Sequence, residues 1–117
     1  DSVNTISARA FLRCSGLEEV QFGKGVEYVG EEAFMNCALL TSVKIGESVR
    51  GIGKYAFRYC YGLERIEIPV SVTTINSNAF EACNNLTIYA EATEQPSGWD
   101  VNWNYSGCPV NWGYKGE

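Results

Sequence analysis

The sequence contains no histidine, which removes the most common general base of enzymes and the most common transition-metal ligand of proteins. It has no run of 18 apolar residues, and its first residues lack the order of a secretory signal, so we expect any targeting or anchoring segment to be absent or removed. Positive charge is scarce, and the net charge is −5. That balance argues against nucleic acid and against direct membrane insertion, because binding to nucleic acid or an anionic membrane needs a basic surface.

A period of 23 residues organises the chain. Four slots keep one residue type in four copies: Cys14, Cys37, Cys60 and Cys83; Phe11, Phe34, Phe57 and Phe80; Ala10, Ala33, Ala56 and Ala79; Leu17, Leu40, Leu63 and Leu86. One such unit cannot bury its own apolar residues, so the copies are expected to stack and equivalent side chains to form ladders. The sequence therefore predicts a solenoid over residues 1–89 and a C-terminal cap over residues 90–117.

Each repeat divides into three stretches. The L-x-x-V-x-I stretch, as in LTSVKI and LERIEI, alternates apolar and polar residues and predicts one strand of a parallel sheet on one face. The A-F-x-x-C stretch places Phe34 and Cys37 three residues apart and predicts a short helical turn. The V-x-x-I stretch predicts a second short extended segment on the other face. Together these elements predict an α/β solenoid.

The pattern as a whole, including I-P-V-S-V-T-T-I-N-S-N-A-F-E-A-C-N-N-L, resembles the BspA-like leucine-rich repeats of bacterial surface proteins. The resemblance covers nearly the whole chain, because the tail looks like the segment that closes such arrays. It implies a right-handed leucine-rich-repeat solenoid, an extracellular or cell-surface location and, for some members, adhesion to host proteins. The family's arrays are usually longer than this one.

The first repeat begins part-way through the unit, because Ser2 aligns with Ser48. A terminal coil without a polar cap exposes an apolar edge. We expect either that the chain is a fragment of a larger array or that it self-associates through the edge around Val3, Ile6 and Phe11.

The cysteine ladder predicts buried free thiols. Stacked side chains point the same way and cannot reach good disulfide geometry, and without histidine or a C-x-x-C pair there is no zinc site. Cys108 lies outside the 23-residue period and is the one thiol expected to be exposed.

Asp100, Asn102 and Asn104 have the spacing that begins a calcium loop. An EF-hand would next require glycine and glutamate, where this chain has Tyr105 and Asn111. Turn formation and side-chain capping are the favoured interpretation. No metal or other cofactor is predicted.

Two surfaces are candidates for ligand binding. Polar side chains that point outward from the predicted sheet form the first, in which Lys44 is expected to pair with Glu67 across strands and no aromatic ladder is expected. Its members are Glu19, Gln21, Ser42, Lys44, Arg65, Glu67, Thr87 and Tyr89. The second is a tyrosine patch on the convex side, because Tyr55 and Tyr59 are four residues apart and Tyr61 is close by.

Aromatic residues crowd the last twenty positions: Trp99, Trp103, Tyr105, Trp112 and Tyr114. They are expected to cover the open end of the apolar ladders, with a carbohydrate platform as the alternative.

No catalytic constellation is recognisable in the sequence, so the chain is predicted not to be an enzyme. We predict a protein-interaction or adhesion module of a bacterial surface protein, with a host or matrix protein as the partner. The alternatives are a structural spacer without a ligand and glycan binding by the tryptophan-rich tail.

Overall fold

A computed structural model describes residues 5–115, and within them the chain forms nine short strands. Ser2 and Val3, which belong to the predicted start of the first repeat and to the N-terminal edge, lie outside the described residues. In chain order the strands are β1 (Thr5–Ile6), β2 (Glu19–Gln21), β3 (Tyr28–Val29), β4 (Ser42–Lys44), β5 (Gly51–Ile52), β6 (Arg65–Ile68), β7 (Thr74–Ile75), β8 (Thr87–Ala90) and β9 (Val110–Trp112).

The L-x-x-V-x-I stretches form a parallel sheet with strand order β2-β4-β6-β8-β9, as their alternation predicts. Each residue pairs with its equivalent one repeat later, so that Val43 faces Ile66 and Ile66 faces Ile88. These three side chains are buried, while their neighbours along each strand point to the other face.

The V-x-x-I stretches supply the second extended segment that the sequence predicts. They form a four-stranded parallel sheet with the order β1-β3-β5-β7. Val29, Ile52 and Ile75 are paired in register along it and are buried. The core therefore lies between two parallel sheets, each of which gains one strand with every coil.

Stacked phenylalanine rings form the centre of this core. The rings of Phe34 and Phe57 lie 5.2 Å apart and within 2° of parallel, and those of Phe57 and Phe80 lie 5.6 Å apart and within 8°. Phe11 extends the stack at 5.0 Å from Phe34. This ladder is the stacking that a single invariant phenylalanine per repeat requires.

The short helices predicted for the A-F-x-x-C stretches are not found, and residues 5–115 form a β-solenoid instead of an α/β one. These stretches are successive turns, in which residues such as Glu32 (φ 59°) and Asn36 (φ 65°) adopt the left-handed conformation that a right-handed helix excludes. Their N–H groups bond between coils: Phe34 donates to Ala56 at 2.8 Å and Asn36 to Arg58 at 2.7 Å. Backbone donors used between coils are no longer available for a helix.

The tail adds a fifth turn to the solenoid. Its strand β9 pairs in parallel with β8, and Trp99 forms a bridge with Ile75 at the end of the second sheet. None of the elements in residues 5–115 is a helix that could cross a membrane.

Candidate binding surface

The outward side chains of the larger sheet form two polar rows, here called the strand face. Pairing places Glu19, Ser42, Arg65 and Thr87 in one row and Gln21, Lys44, Glu67 and Tyr89 in the other. All the residues that the sequence assigned to this face are therefore brought together. Exposure decreases along it, from the exposed β2 side chains to the half-buried Arg65, Glu67 and Tyr89.

Arg65 is the centre of a charged and aromatic cluster on this face. Its guanidinium lies 4.0 Å from the centroid of the Tyr89 ring and 5.4 Å from that of Tyr114, within the range of a cation–π contact. Its Nη2 also donates to the Tyr114 hydroxyl at 2.5 Å and to Oε2 of Glu67 at 3.1 Å. Desolvation opposes its charge, but the bond to Glu67 and the neighbouring charges outweigh that effect and raise the pKa of Arg65.

The cluster corrects one prediction about the strand face. Lys44 and Glu67 are register partners, but Glu67 forms its ion pair with Arg65, whose planar guanidinium reaches the same carboxylate from two residues away. The rings of Tyr89 and Tyr114 lie 5.0 Å apart at an angle of 55°, so they form one tilted pair and not an aromatic ladder.

Tyr114 is the residue that the sequence did not assign to this face. It follows Gly113, whose φ of 74° turns the chain back after β9, and its backbone N–H donates to the carbonyl of Ala90 at 2.9 Å. The glycine after the last strand was the available indication of such a turn. The position of the Tyr114 side chain depended on the register of β9, which the sequence does not show.

A cleft of about 80 Å³ lies at the carboxyl edge of the strand face, where β4, β6 and β8 end. Its floor is apolar, formed by Ile45, Ile68 and Pro69. Its walls carry two aromatic rings and four charged side chains: Tyr89, Tyr114, Lys44, Glu47, Glu67 and Glu91. This space can hold several water molecules or the head of a charged side chain.

The third-repeat tyrosines meet around Arg58. The guanidinium of Arg58 lies 4.5 Å from the ring centroids of both Tyr55 and Tyr59, and the Tyr59 and Tyr61 rings are 5.9 Å apart. The expected grouping is thus present, although on left-handed turn positions (φ 60° at Tyr55 and 64° at Tyr59) and not on a helical turn.

Arg58 also faces Glu81 of the next coil. The Nε of Arg58 and Oε1 of Glu81 are 2.8 Å apart, but both atoms are buried and their angles do not make a hydrogen bond. We regard the pair as a charge contact, because the short distance is favourable for opposite charges whatever the bond angle.

The tail aromatics divide into a buried and an exposed group. Trp99 and Trp103 are 4% exposed; Trp103 packs edge-on against Phe80 at 6.3 Å, and the Trp99 indole donates to the carbonyl of Val72 at 3.0 Å. These two side chains cover the end of the core, as predicted. Trp112 (36% exposed) and Tyr105 (66% exposed) are the tail aromatics that remain accessible.

The five cysteines are free thiols, and the expectation that Cys108 is exposed is wrong. Cys108 is buried and continues the ladder, with its Sγ 3.5 Å from the carbonyl of Cys83. Two additional residues in the tail place Cys108 25 positions after Cys83, which hides it from a 23-residue period. Desolvation raises the pKa of both Cys37, to about 11, and Cys108, so these thiols are neutral at physiological pH.

The loop with the calcium-like spacing uses its side chains to order its own backbone. Oδ1 of Asp100 accepts from the N–H of Asn102 at 2.8 Å, and the amide of Asn104 makes two bonds to the backbone of Cys108, at 2.8 and 2.9 Å. These contacts agree with the turn interpretation. Among the described residues there is no group of acidic, cysteine or histidine side chains placed to hold a metal ion.

Apolar side chains line the N-terminal edge of the solenoid within residues 5–115. A broad cavity of about 350 Å³ is lined there by residues that include Ile6, Phe11, Leu17 and Phe22, and Phe11 is 39% exposed. This is the edge at which self-association is expected, and Ile6 and Phe11 both contribute to it.

A family model described as the BspA type leucine-rich repeat region matches residues 1–94 in six copies. The strand pairing, in contrast, places equivalent residues of successive coils 23 positions apart from β2 to β6 and 22 positions apart from β6 to β9, and we base the coil boundaries on this pairing. No curated protein matches the chain at a significant level.

Two solved structures share the fold. A leucine-rich repeat protein of T. pallidum has 26% sequence identity and a TM-score of 0.74, over 84% of this chain and 44% of that one. A leucine-rich repeat protein from Bacteroides ovatus ATCC 8483 has 30% identity and a TM-score of 0.73, over 92% of this chain and 28% of that one. The chain spans less than half the length of either protein, and no catalytic family is indicated. From the family match and the strand register together, the chain belongs to the BspA-type leucine-rich repeat family.

Proposed function

We propose that this chain is a non-enzymatic protein-interaction module of a bacterial cell-surface or secreted protein, and that it binds its partner through the strand face. The observation that carries the proposal is the pair of polar rows held in register by a close-packed core. A surface fixed in this way loses little conformational entropy on binding. The family is one of repeat scaffolds, typically associated with bacterial surfaces, which supports both the role and the location.

The strand face offers a partner more than the third-repeat tyrosines do. Gln21, Lys44 and Glu19 are exposed, and Lys44 is paired in register with Glu67 of the cluster around Arg65. Interfaces combine such a polar rim with aromatic and arginine side chains at their centre. Tyr55 and Tyr59 surround Arg58 in a similar way, but the two polar rows that extend over four strands belong to the strand face. The patch formed with Tyr61 is a second, smaller contact surface in this proposal.

A binding screen against purified extracellular-matrix proteins tests the function. Charge reversal by Lys44→Glu on the strand face should change the affinity of any saturable binding, because charges across an interface steer association. Arg50→Glu makes the same change of charge at an exposed residue outside that face and should leave binding intact. A Tyr55/Tyr59/Tyr61 alanine variant measures the contribution of the second surface.

Three results would count against the proposal. If no protein of the panel binds, a structural spacer would be favoured. Equal changes of affinity in the Lys44 and Arg50 variants would show that net charge and not the strand face is responsible. Binding to a glycan array that Trp112→Ala abolishes would favour the tail as the ligand site, because Trp112 is its most accessible tryptophan.

A further inference from the structure

The cleft at the carboxyl edge of the strand face differs from the rest of that face in its charge. Three carboxylates, those of Glu47, Glu67 and Glu91, line it against the single ammonium of Lys44. The whole chain is also acidic, with a net charge of −5. A partner that fills this cleft therefore gains most if the group it inserts is positively charged.

The same residues already hold one guanidinium. Arg65 lies against the Tyr89 ring at 4.0 Å, donates to Tyr114 and pairs with Glu67. Arg65 does not line the cleft, which opens on the carboxyl side of Tyr89 toward Pro69 and Glu91. The Arg65 contacts show which chemistry this pair of tyrosines and this carboxylate accept: a flat or compact cation over an aromatic ring with a carboxylate at its edge.

Acceptor atoms remain for a second cation. Both bonds from Arg65 to Glu67 end on Oε2, and Glu91 accepts the N–H of Val70 at 2.8 Å through Oε1. Within the described residues, each of these carboxylates therefore has a second oxygen that is not used in such a bond. Glu47 is exposed at the rim, where it can complete the set.

We infer that this cleft binds an arginine or lysine side chain of a partner protein, with the cation against Tyr89 and Tyr114 and its N–H groups directed at Glu67, Glu91 and Glu47. The inference rests on the proposed function, since it names the chemistry of the partner at one part of the strand face. The apolar floor of Ile45, Ile68 and Pro69 receives the methylene groups of the incoming side chain. The cleft of about 80 Å³ is suited to one such side chain and not to a folded segment.

The test is a titration of the isotope-labelled full chain, followed by NMR, with a short capped glycine peptide that carries one central arginine. We expect saturable shifts at the amides of Glu67, Tyr89, Glu91 and Tyr114, and affinity that weakens as salt is added. A lysine peptide should bind at the same residues. The citrulline peptide, which keeps the shape of arginine without its charge, and a glutamate peptide should produce no saturable shift.

Variants locate the binding. Glu91→Gln keeps the acceptor for Val70 and removes the charge, so it should weaken arginine-peptide binding by about two- to fivefold, the range for partly exposed ion pairs. Glu47→Gln, at an exposed position where folding is not at risk, should weaken it in the same direction. Glu18→Gln removes an exposed carboxylate that belongs neither to the strand face nor to the lining of the cleft, and it should have no effect.

The inference is overturned if the arginine peptide gives no saturable shifts, if the citrulline or glutamate peptide binds as well, or if neither cleft variant weakens binding relative to Glu18→Gln. This outcome is separable from failure of the proposed function. If a matrix protein binds saturably but the arginine peptide does not, the cleft is rejected and the proposed function is retained. If the peptide binds but no protein of the panel does, the cleft is retained and the proposed function is rejected.

Discussion

The guanidinium of Arg65 and the hydroxyl of Tyr114 are joined by a hydrogen bond of 2.5 Å, although 49 residues separate them in the sequence. The bond crosses from the third coil to the segment after the last strand, over the ring of Tyr89. It fastens the end of the tail to the strand face. The fifth turn is thus held at its last residues by side chains as well as by its backbone pairing.

Removal of this hydroxyl should loosen the end of the tail. Tyr114→Phe keeps the ring and deletes the bond, so we expect a loss of stability below about 1 kcal/mol, because Arg65 is partly exposed. Hydrogen exchange at the amides of Gly113 and Tyr114 should become faster, since both donate to residues of the preceding coil. Tyr105→Phe, at a position 66% exposed, is the matched control. Unchanged exchange in Tyr114→Phe would show that backbone pairing alone holds the tail.

Truncation within the phenylalanine stack should be far more costly. Phe57 is fully buried between Phe34 and Phe80, so Phe57→Ala leaves a cavity that neither neighbour can fill, at a cost of about 3–5 kcal/mol. Val101→Ala, at a side chain 89% exposed, should change stability by less than about 0.5 kcal/mol. Urea denaturation of the two variants measures the difference. A loss below about 1 kcal/mol at Phe57 would mean that the coils repack around the gap.

The core was predictable because stacking imposes one rule on every copy. An apolar slot that recurs every 23 residues must meet its own equivalent, and Val29, Ile52 and Ile75 do so in register. The turns were not predictable from the same pattern. A spacing of three residues between Phe34 and Cys37 is compatible with one helical turn and with consecutive turns. Only the left-handed backbone conformation of residues within these stretches distinguishes the two.

Those left-handed positions provide a third prediction. Ala82 has a φ of 64° in a slot that asparagine occupies in the second coil, and asparagine tolerates this conformation better than alanine. Ala82→Asn should therefore raise the free energy of unfolding by about 0.5–1 kcal/mol, within the cost of a non-glycine residue in this region. The measurement is the midpoint of urea unfolding, with Ala38→Asn at an exposed turn position as the control. A gain in both variants would point to a surface effect instead.

Because of the buried thiols, we expect the free energy of unfolding to fall at alkaline pH. The folded chain raises the pKa of Cys37 to about 11 by desolvation, whereas an unfolded thiol ionises near 8.5. Above that lower value the unfolded chain loses the proton first, so stability is complete below about pH 8.5 and falls as the pH rises through 11. The loss that Cys37 contributes therefore begins near pH 8.5 and grows until the pH exceeds 11.

Unfolding in urea at several values between pH 8 and pH 11 measures this loss. Cys37→Ala should lower the stability at pH 8, because it leaves a small cavity, but its stability should decline less steeply with pH. Equal slopes for the two proteins would contradict the assignment of the effect to this thiol.

The tail shows where sequence reasoning about the site ended. Cys108 lies 25 positions after Cys83, and β9 lies 22 positions after β8, so neither the buried thiol nor the contact of Tyr114 with Arg65 follows from a 23-residue period. The polar rows on the strand face could be predicted from the sequence, because side chains alternate between the two faces of a strand. The aromatic cluster could not, because it depends on the length and path of the final loop.

The pairing of each strand with its equivalent one coil later has a mechanical consequence. Because a coil is bonded to its immediate neighbours in both sheets, the two ends of the array are the places where a pulling force can detach one coil and leave the next intact. A detached coil of 23 residues extends to roughly 75–80 Å. Under tension the array would therefore lengthen in steps, releasing slack from its ends while the remaining coils keep their shape.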